Sequence, residues 1–295
     1  MLQRFLNPSV LAGISGLELV ARTVVDGFIA GLHRSPDFGF SQEFAEYQAY
    51  TPGDDLRHVD WNVYARTERM YLKRYRGETN TLVTVLLDAS RSMAYTSHAV
   101  PKIDFARYFA ASLLYLTHQQ RDAGGLIVFD DDVRNYVRPS GRHGQLQRLM
   151  HALDQAEPGH RTDFGKPFLH FQQFLNRRGI VVVISDFYHD PGEIVAAMTP
   201  LRSRGNEVAM FHILDPEELR PGFREPLVLM DMETDDVMEV SPDYARHEYR
   251  QRVDAHVESL RTLAQGAGIE YHMLTTDRPL DAALREYLFI RQGRV

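Results

Sequence analysis

The chain has no cysteine in its 295 residues. Disulfides, thiolate zinc sites, iron–sulfur clusters and cysteine nucleophiles are excluded together, and the composition fits a reducing cytoplasm. A basic excess is also missing. The 33 Lys and Arg face 40 Asp and Glu, a formal net charge of −7, which argues against a general binder of nucleic acid or anionic membrane. There are no internal repeats and no low-complexity segments. The thirteen histidines are scattered, and none forms the His-x3-His pair of a zinc-protease helix.

An uncharged membrane-spanning run is absent too. The longest apolar stretch, Val10 to Leu32, carries Glu18, Arg22 and Asp26, each costing roughly 2.5–3.5 kcal/mol at hydrocarbon depth. Leu17, Val20, Val24 and Phe28 recur there at helical spacing, so the stretch reads as one amphipathic helix packed on the body of the protein. The opening residues break at Asn7-Pro8 before an apolar signal core forms, so no secretory leader is expected.

What is present is a regular alternation. Met70 to Tyr75 reads as a strand. The apolar run 82–87 is bounded by turn residues, as a central strand covered on both faces should be. Ile103, Ala106, Ala110, Leu113 and Thr117 mark a helix. A strand over 124–129, a short polar edge strand at 136–138 and helices over 146–153 and 167–175 follow. Further strands fall at 180–184, 208–214 and 269–274, with a hairpin over 227–240. Ser241-Pro242 starts a long helix with a buried stripe of Val253, Val257, Leu260, Ala264 and Ala267; Gly268 ends it, and a last helix covers 280–289. The expected fold is α/β, a doubly wound, mostly parallel sheet with helices on both faces. An N-terminal extension is expected over residues 1–78 and the main domain over 79–295.

In such sheets ligands bind beyond the carboxyl ends of strands, where the winding reverses. The strand at 82–87 delivers Asp88-Ala89-Ser90-Arg91-Ser92 there, and the strand at 180–184 delivers Ser185-Asp186. No glycine fingerprint follows the first strand, which removes the dinucleotide reading. Gly159…Gly165-Lys166-Pro167 has the wrong spacing for a phosphate loop. Asp88, Ser90 and Ser92 offer hard oxygens suited to Mg2+, Mn2+ or Ca2+. The triplet alone fits a capped loop equally well.

Asp88-x-Ser90-x-Ser92, Thr162 before a helix and the strand-ending Asp186 together resemble the metal-ion-dependent adhesion site of von Willebrand factor A domains. The upstream block Tyr50-x-Pro52-Gly53-Asp54-Asp55-x-Arg57-x-x-Asp60-Trp61 resembles the signature of the bacterial domain-of-unknown-function family 58. These resemblances imply a cation, Mg2+ or else Mn2+ or Ca2+, on Asp88, Ser90, Ser92, Thr162 and Asp186, the last directly or through water. They imply a non-enzymatic module whose cation engages an acidic residue of a protein partner; the absent cysteines and signal, and not the resemblance, place it in the cytoplasm. Because family members are often encoded beside MoxR-type AAA+ ATPases, such an ATPase is the candidate partner.

Two other readings compete. Asp88 could accept a phosphoryl group in a metal-dependent enzyme, but such enzymes need an acid two positions later and Ser90 stands there. A scaffold with an unoccupied site is the third. Asp130-Asp131-Asp132 reads as a solvated turn rather than a second cation site. Asp54, Asp55, His58 and Asp60 read as a turn with ion pairs to Arg57 and Arg66, and Lys73, Arg74 and Arg76 as solvent-facing. The single tryptophan, Trp61, reads as a packing anchor.

Overall fold

The computed structural model describes residues 7–32, 44–49, 59, 61, 63–64, 70–75, 81–159, 161, 163–175, 177–230, 232 and 237–292. Two compact units divide the chain, residues 29–80 on one hand and 1–28 with 81–295 on the other. The amphipathic segment is not one helix from Val10. A single turn, Pro8–Leu11, is capped by Asn7, whose side chain accepts the Ser9 N–H at 2.9 Å. The chain then breaks at Gly16, which adopts φ +93°, before α1 (Leu17–Leu32) begins. The expected stripe of Leu17, Val20, Val24 and Phe28 is buried.

In the smaller unit, β1 (Phe44–Ala49) pairs antiparallel with β2 (Tyr71–Tyr75). Of these two, sequence patterning marks only the second. Trp61 is 56% exposed and meets Tyr64 edge-on at 6.1 Å, so it is not the enclosed anchor expected. Asp54, Asp55, Arg57, His58, Asp60 and Arg66 lie outside the described residues, as do the side chains of Lys73, Arg74 and Arg76.

The main sheet has six strands: β3 (Leu82–Asp88), β4 (Ala123–Phe129), β5 (Val133–Ser140), β6 (Ile180–Ser185), β7 (Glu207–Leu214) and, after a hairpin, β10 (Glu270–Thr275). The hairpin is β8 (Leu227–Met230) with β9 (Val237–Val240). The sheet order is β10-β7-β6-β3-β4-β5. Every pairing in it is parallel except that of the edge strand β5 with β4. The winding reverses between β3 and β6, because β3 continues outward to β4 and the chain later returns to β3's other side. Side chains of β3 beyond Leu82 and of β6 are buried on both faces, which explains their unbroken apolar composition.

Helices cover both faces. On one side lie α2 (Lys102–Gln119), α3 (Gln145–Asp154) and α7 (Asp281–Gln292); on the other pack α4 (Gly165–Phe174), α5 (Pro191–Ser203) and α6 (Arg250–Gly266). Helix α5 has no counterpart in the sequence reading. It carries Pro200 internally, which masks the pattern, but Asp190 caps it and Ile194, Val195, Met198 and Leu201 are buried. Under the switch point Phe129 meets Phe164, Phe168 and Phe171 edge-on at 5.4–6.1 Å. Such pairs contribute about 0.5–1.5 kcal/mol each beyond area burial. They anchor the start of α4 beneath the strand ends.

Candidate cation site at the strand switch point

Each of the four inner strands delivers a fully buried aspartate: Asp88 closes β3, and Asp130, Asp186 and Asp215 follow β4, β6 and β7. A buried carboxylate must find hydrogen bonds or a compensating charge. Asp130 has the Arg134 guanidinium at 2.8 Å. Asp215 accepts the Ser97 N–H at 2.8 Å and the Ser97 hydroxyl at 2.5 Å, and caps the turn Pro216–Leu219. Asp186 Oδ2 accepts the Lys102 ammonium at 2.7 Å. Asp88 has neutral donors, the Ser185 hydroxyl on Oδ2 at 2.5 Å and the Ser90 N–H on Oδ1 at 2.8 Å. No basic side chain among the described residues pairs with it. Burial and the nearby Asp186 charge push the Asp88 carboxyl up to about 7.

Asp130 therefore departs from the solvated turn expected of 130–132. Asp131 is exposed and Asp132 partly exposed, the latter facing Lys166 and His170.

Ser90 occupies the N-cap of the short turn Arg91–Ala94, yet its side chain makes no capping hydrogen bond. Its Oγ instead lies 3.1 Å from the Ser92 Oγ. Asp186 Oδ1 is buried without a hydrogen-bond partner. Asp88 and Asp186 lie close enough for their charges to interact, and the Ser90 and Ser92 hydroxyls lie side by side in the loop that follows Asp88. Thr162 lies outside the described residues. Of its neighbours, Gly159 donates to the Ala89 carbonyl at 2.7 Å and Asp163 to the Asp130 carbonyl at 3.3 Å. Among the described residues no three of His, Asp and Glu form a conventional metal cage, so any cation here depends on the hydroxyls.

Lys102 and Glu218 border Asp186 without any mark in the sequence, whereas Ser185 is read at the strand end but without a role. Lys102 is fully buried in the first turn of α2, with Asp186 on one side and Glu218 at 2.6 Å on the other. Its ammonium also sits over the Tyr188 ring, 4.9 Å from the centroid. Burial opposes that charge, but Asp186 and Glu218 outweigh it and hold the lysine pKa above its ordinary value. At Glu218 burial prevails over Lys102 and the carboxyl is pushed up. Nothing local in the sequence marks Lys102 as enclosed. Ser185 had the clearer signal, since it precedes Asp186 at a strand end.

Asp186 is followed by Phe187 at φ +48°, uncommon for a bulky residue. The ring is buried, its N–H is held by the Ser185 hydroxyl at 2.9 Å, and its carbonyl faces His256 Nε2 at 3.0 Å.

A doubly wound sheet with one antiparallel edge and an Asp-x-Ser-x-Ser loop at its switch point defines an α/β domain of von Willebrand factor A-like topology. Within that class the chain belongs to the family described as Protein of unknown function DUF58, whose model matches residues 46–259. It is 28% identical over 278 residues to the uncharacterized protein Rv1480 of Mycobacterium tuberculosis, covering 92% of this chain and 86% of the relative. The uncharacterized protein Mb1516 of Mycobacterium bovis is similar to the same extent. Among solved structures, BatB from Bacteroides thetaiotaomicron aligns with TM-score 0.48 and 17% identity, over 72% of this chain and 99% of that one. The pilus adhesin SpaC from Lactobacillus rhamnosus GG aligns with TM-score 0.48 and 14% identity, over 86% and 37%. Among the described residues no helix is long and apolar enough to cross a membrane.

Proposed function

We infer that this chain is a non-enzymatic interaction module presenting a divalent cation to an acidic residue of a protein partner. Asp88, Ser90, Ser92, Thr162 and Asp186 are the proposed ligands, and Mg2+ the proposed ion, with Mn2+ or Ca2+ as substitutes. The observation that carries the reading is the pairing of Asp88, buried with neutral donors only, with Asp186, whose Oδ1 is buried and unbonded. When ionised, Asp88, Asp186 and Glu218 against Lys102 leave two negative charges, which a divalent ion neutralises. Few charged ligands also leave the ion net attraction for an outside carboxylate. A MoxR-type AAA+ ATPase is the proposed partner and the cytoplasm the proposed compartment; family membership supports the first, and the cysteine-free composition is consistent with the second.

The phosphoryl-transfer reading has less support. Both Asp88 oxygens already accept hydrogen bonds, and Ser90 stands where a general acid is needed. Calorimetric titration of Mg2+ into wild type and the Ser90→Ala/Ser92→Ala variant tests the proposal. Binding by the first and not by the second supports it; no heat with wild type for any of the three ions sinks it. Turnover of an aryl phosphate, lost in Asp88→Asn, would favour the enzyme.

A further inference from the structure

The net charge of the protein is concentrated in one short segment. Residues 225–245 contain seven acidic side chains (Glu225, Asp231, Glu233, Asp235, Asp236, Glu239 and Asp243) and no Lys or Arg. The other 33 acidic residues are matched by the 33 basic ones, so the remainder of the chain is formally neutral. The same segment includes the β8–β9 pair, which joins no third strand among the described residues; Asp231, Glu233, Asp235 and Asp236 lie outside the described residues.

That hairpin is apolar on both faces and open to solvent. Val228 is 69% exposed, Met230 61%, Val237 62% and Met238 52%. A two-stranded hairpin is at best marginally stable alone in water, and contiguous exposed apolar area marks an interaction site. Behind it lies a cavity of about 390 Å³ lined by Tyr95, Phe223, Leu229, Met238 and Tyr249, with Glu217 and Glu218 also in its wall. Unpaired strand edges add free main-chain donors and acceptors.

We propose that the β8–β9 hairpin is a docking arm for a basic, apolar-bearing segment of a partner protein. Charge selects this occupant. An anionic membrane would be repelled by the arm, and so would the identical arm of a second copy. Apolar side chains of the incoming segment cover Val228, Met230 and Met238 or enter the cavity, while its Lys and Arg meet the exposed Glu225, Glu239 and Asp243. The arm contains none of the proposed cation ligands, although Glu218 in the cavity wall also pairs with Lys102 beside them, and the proposal stands whether or not a cation binds there.

The test uses the full chain with three synthetic probes: a peptide alternating lysine with leucine, one alternating glutamate with leucine, and one alternating lysine with glycine. Fluorescence anisotropy should show binding of the lysine–leucine peptide, weakened by added salt and unchanged by chelator, with the other two at least tenfold weaker. Hydrogen exchange on wild type should show new protection across 227–240. Val228→Thr/Met230→Thr/Met238→Thr and Glu225→Lys/Glu239→Lys, all at exposed positions that perturb folding little, should each weaken binding by roughly tenfold. Equal binding of the glutamate–leucine peptide, protection elsewhere, or variants that bind as wild type does would overturn the proposal. So would sedimentation showing the hairpin buried in a dimer of this chain. Because chelator separates the two sites, failure here leaves the cation reading intact.

Discussion

Lys102 Nζ donates to Asp186 Oδ2 at 2.7 Å, and both side chains are essentially closed to solvent. The lysine is therefore the built-in counter-charge of a carboxylate whose other oxygen stays unbonded. Removing it leaves Asp186 and Glu218 buried without compensation, at a cost of roughly 3–5 kcal/mol. Lys102→Met should lower stability to urea by that amount. Lys102→Met/Glu218→Gln should recover part of the loss, because one of the two stranded charges is gone. Equal stability of Lys102→Met and wild type would show that the pair does not carry this charge balance.

The Ser90 and Ser92 hydroxyls face each other and not the backbone. Ser90→Ala/Ser92→Ala should therefore change stability in chelator by less than about 1 kcal/mol, since few other hydrogen bonds are lost. The same variant should lose the rise in Tm that millimolar Mg2+ is expected to give wild type by binding the native state alone. Paired thermal melts with Mg2+ and with chelator read both effects.

Falling pH should remove the contribution of the buried imidazoles to stability, against the opposite contribution of Asp88 and Glu218, whose raised carboxyls are protonated in the native state first. Burial lowers His212 to about 3 and lowers His272 as well. The unfolded chain takes up these protons near pH 6.5 while the native state does not, so stability is present above that pH and lost as pH falls below it. The slope approaches about 1.4 kcal/mol per pH unit for each fully neutral histidine. Urea midpoints of wild type and His272→Gln between pH 7.5 and 5 should diverge, the variant falling less steeply.

The edge strand offers a steric test. A Cβ added at Gly125 in β4 would lie 2.5 Å from Pro139 Cγ and 2.9 Å from its backbone nitrogen on β5. Gly125→Ala must push β5 away, at roughly 1–3 kcal/mol. A variant as stable as wild type would mean that the β4–β5 contact yields freely.

Much of the architecture is legible in sequence because it is local. Strands β3 and β6 are unbroken apolar runs between turns, and strand-end reasoning then picks out Asp88, Ser90, Ser92 and Asp186. The rest depends on distant contacts or masked patterns. Lys102 is enclosed by residues 84 and 116 positions away, so no window of sequence marks it as buried. Pro200 hides α5, and Asp130 looks solvated in a run of three aspartates although the fold encloses it.

The residue after Asp186 bears on how the site is used. Phe187 adopts a backbone conformation that costs a bulky residue of order 1–3 kcal/mol, and persists because the core ring, Ser185 and His256 over-determine it. That entropy and strain are settled when the chain folds, not when a ligand arrives. The backbone beside that carboxylate is consequently fixed by the fold, so that the cation proposed above would lose little affinity to ordering it.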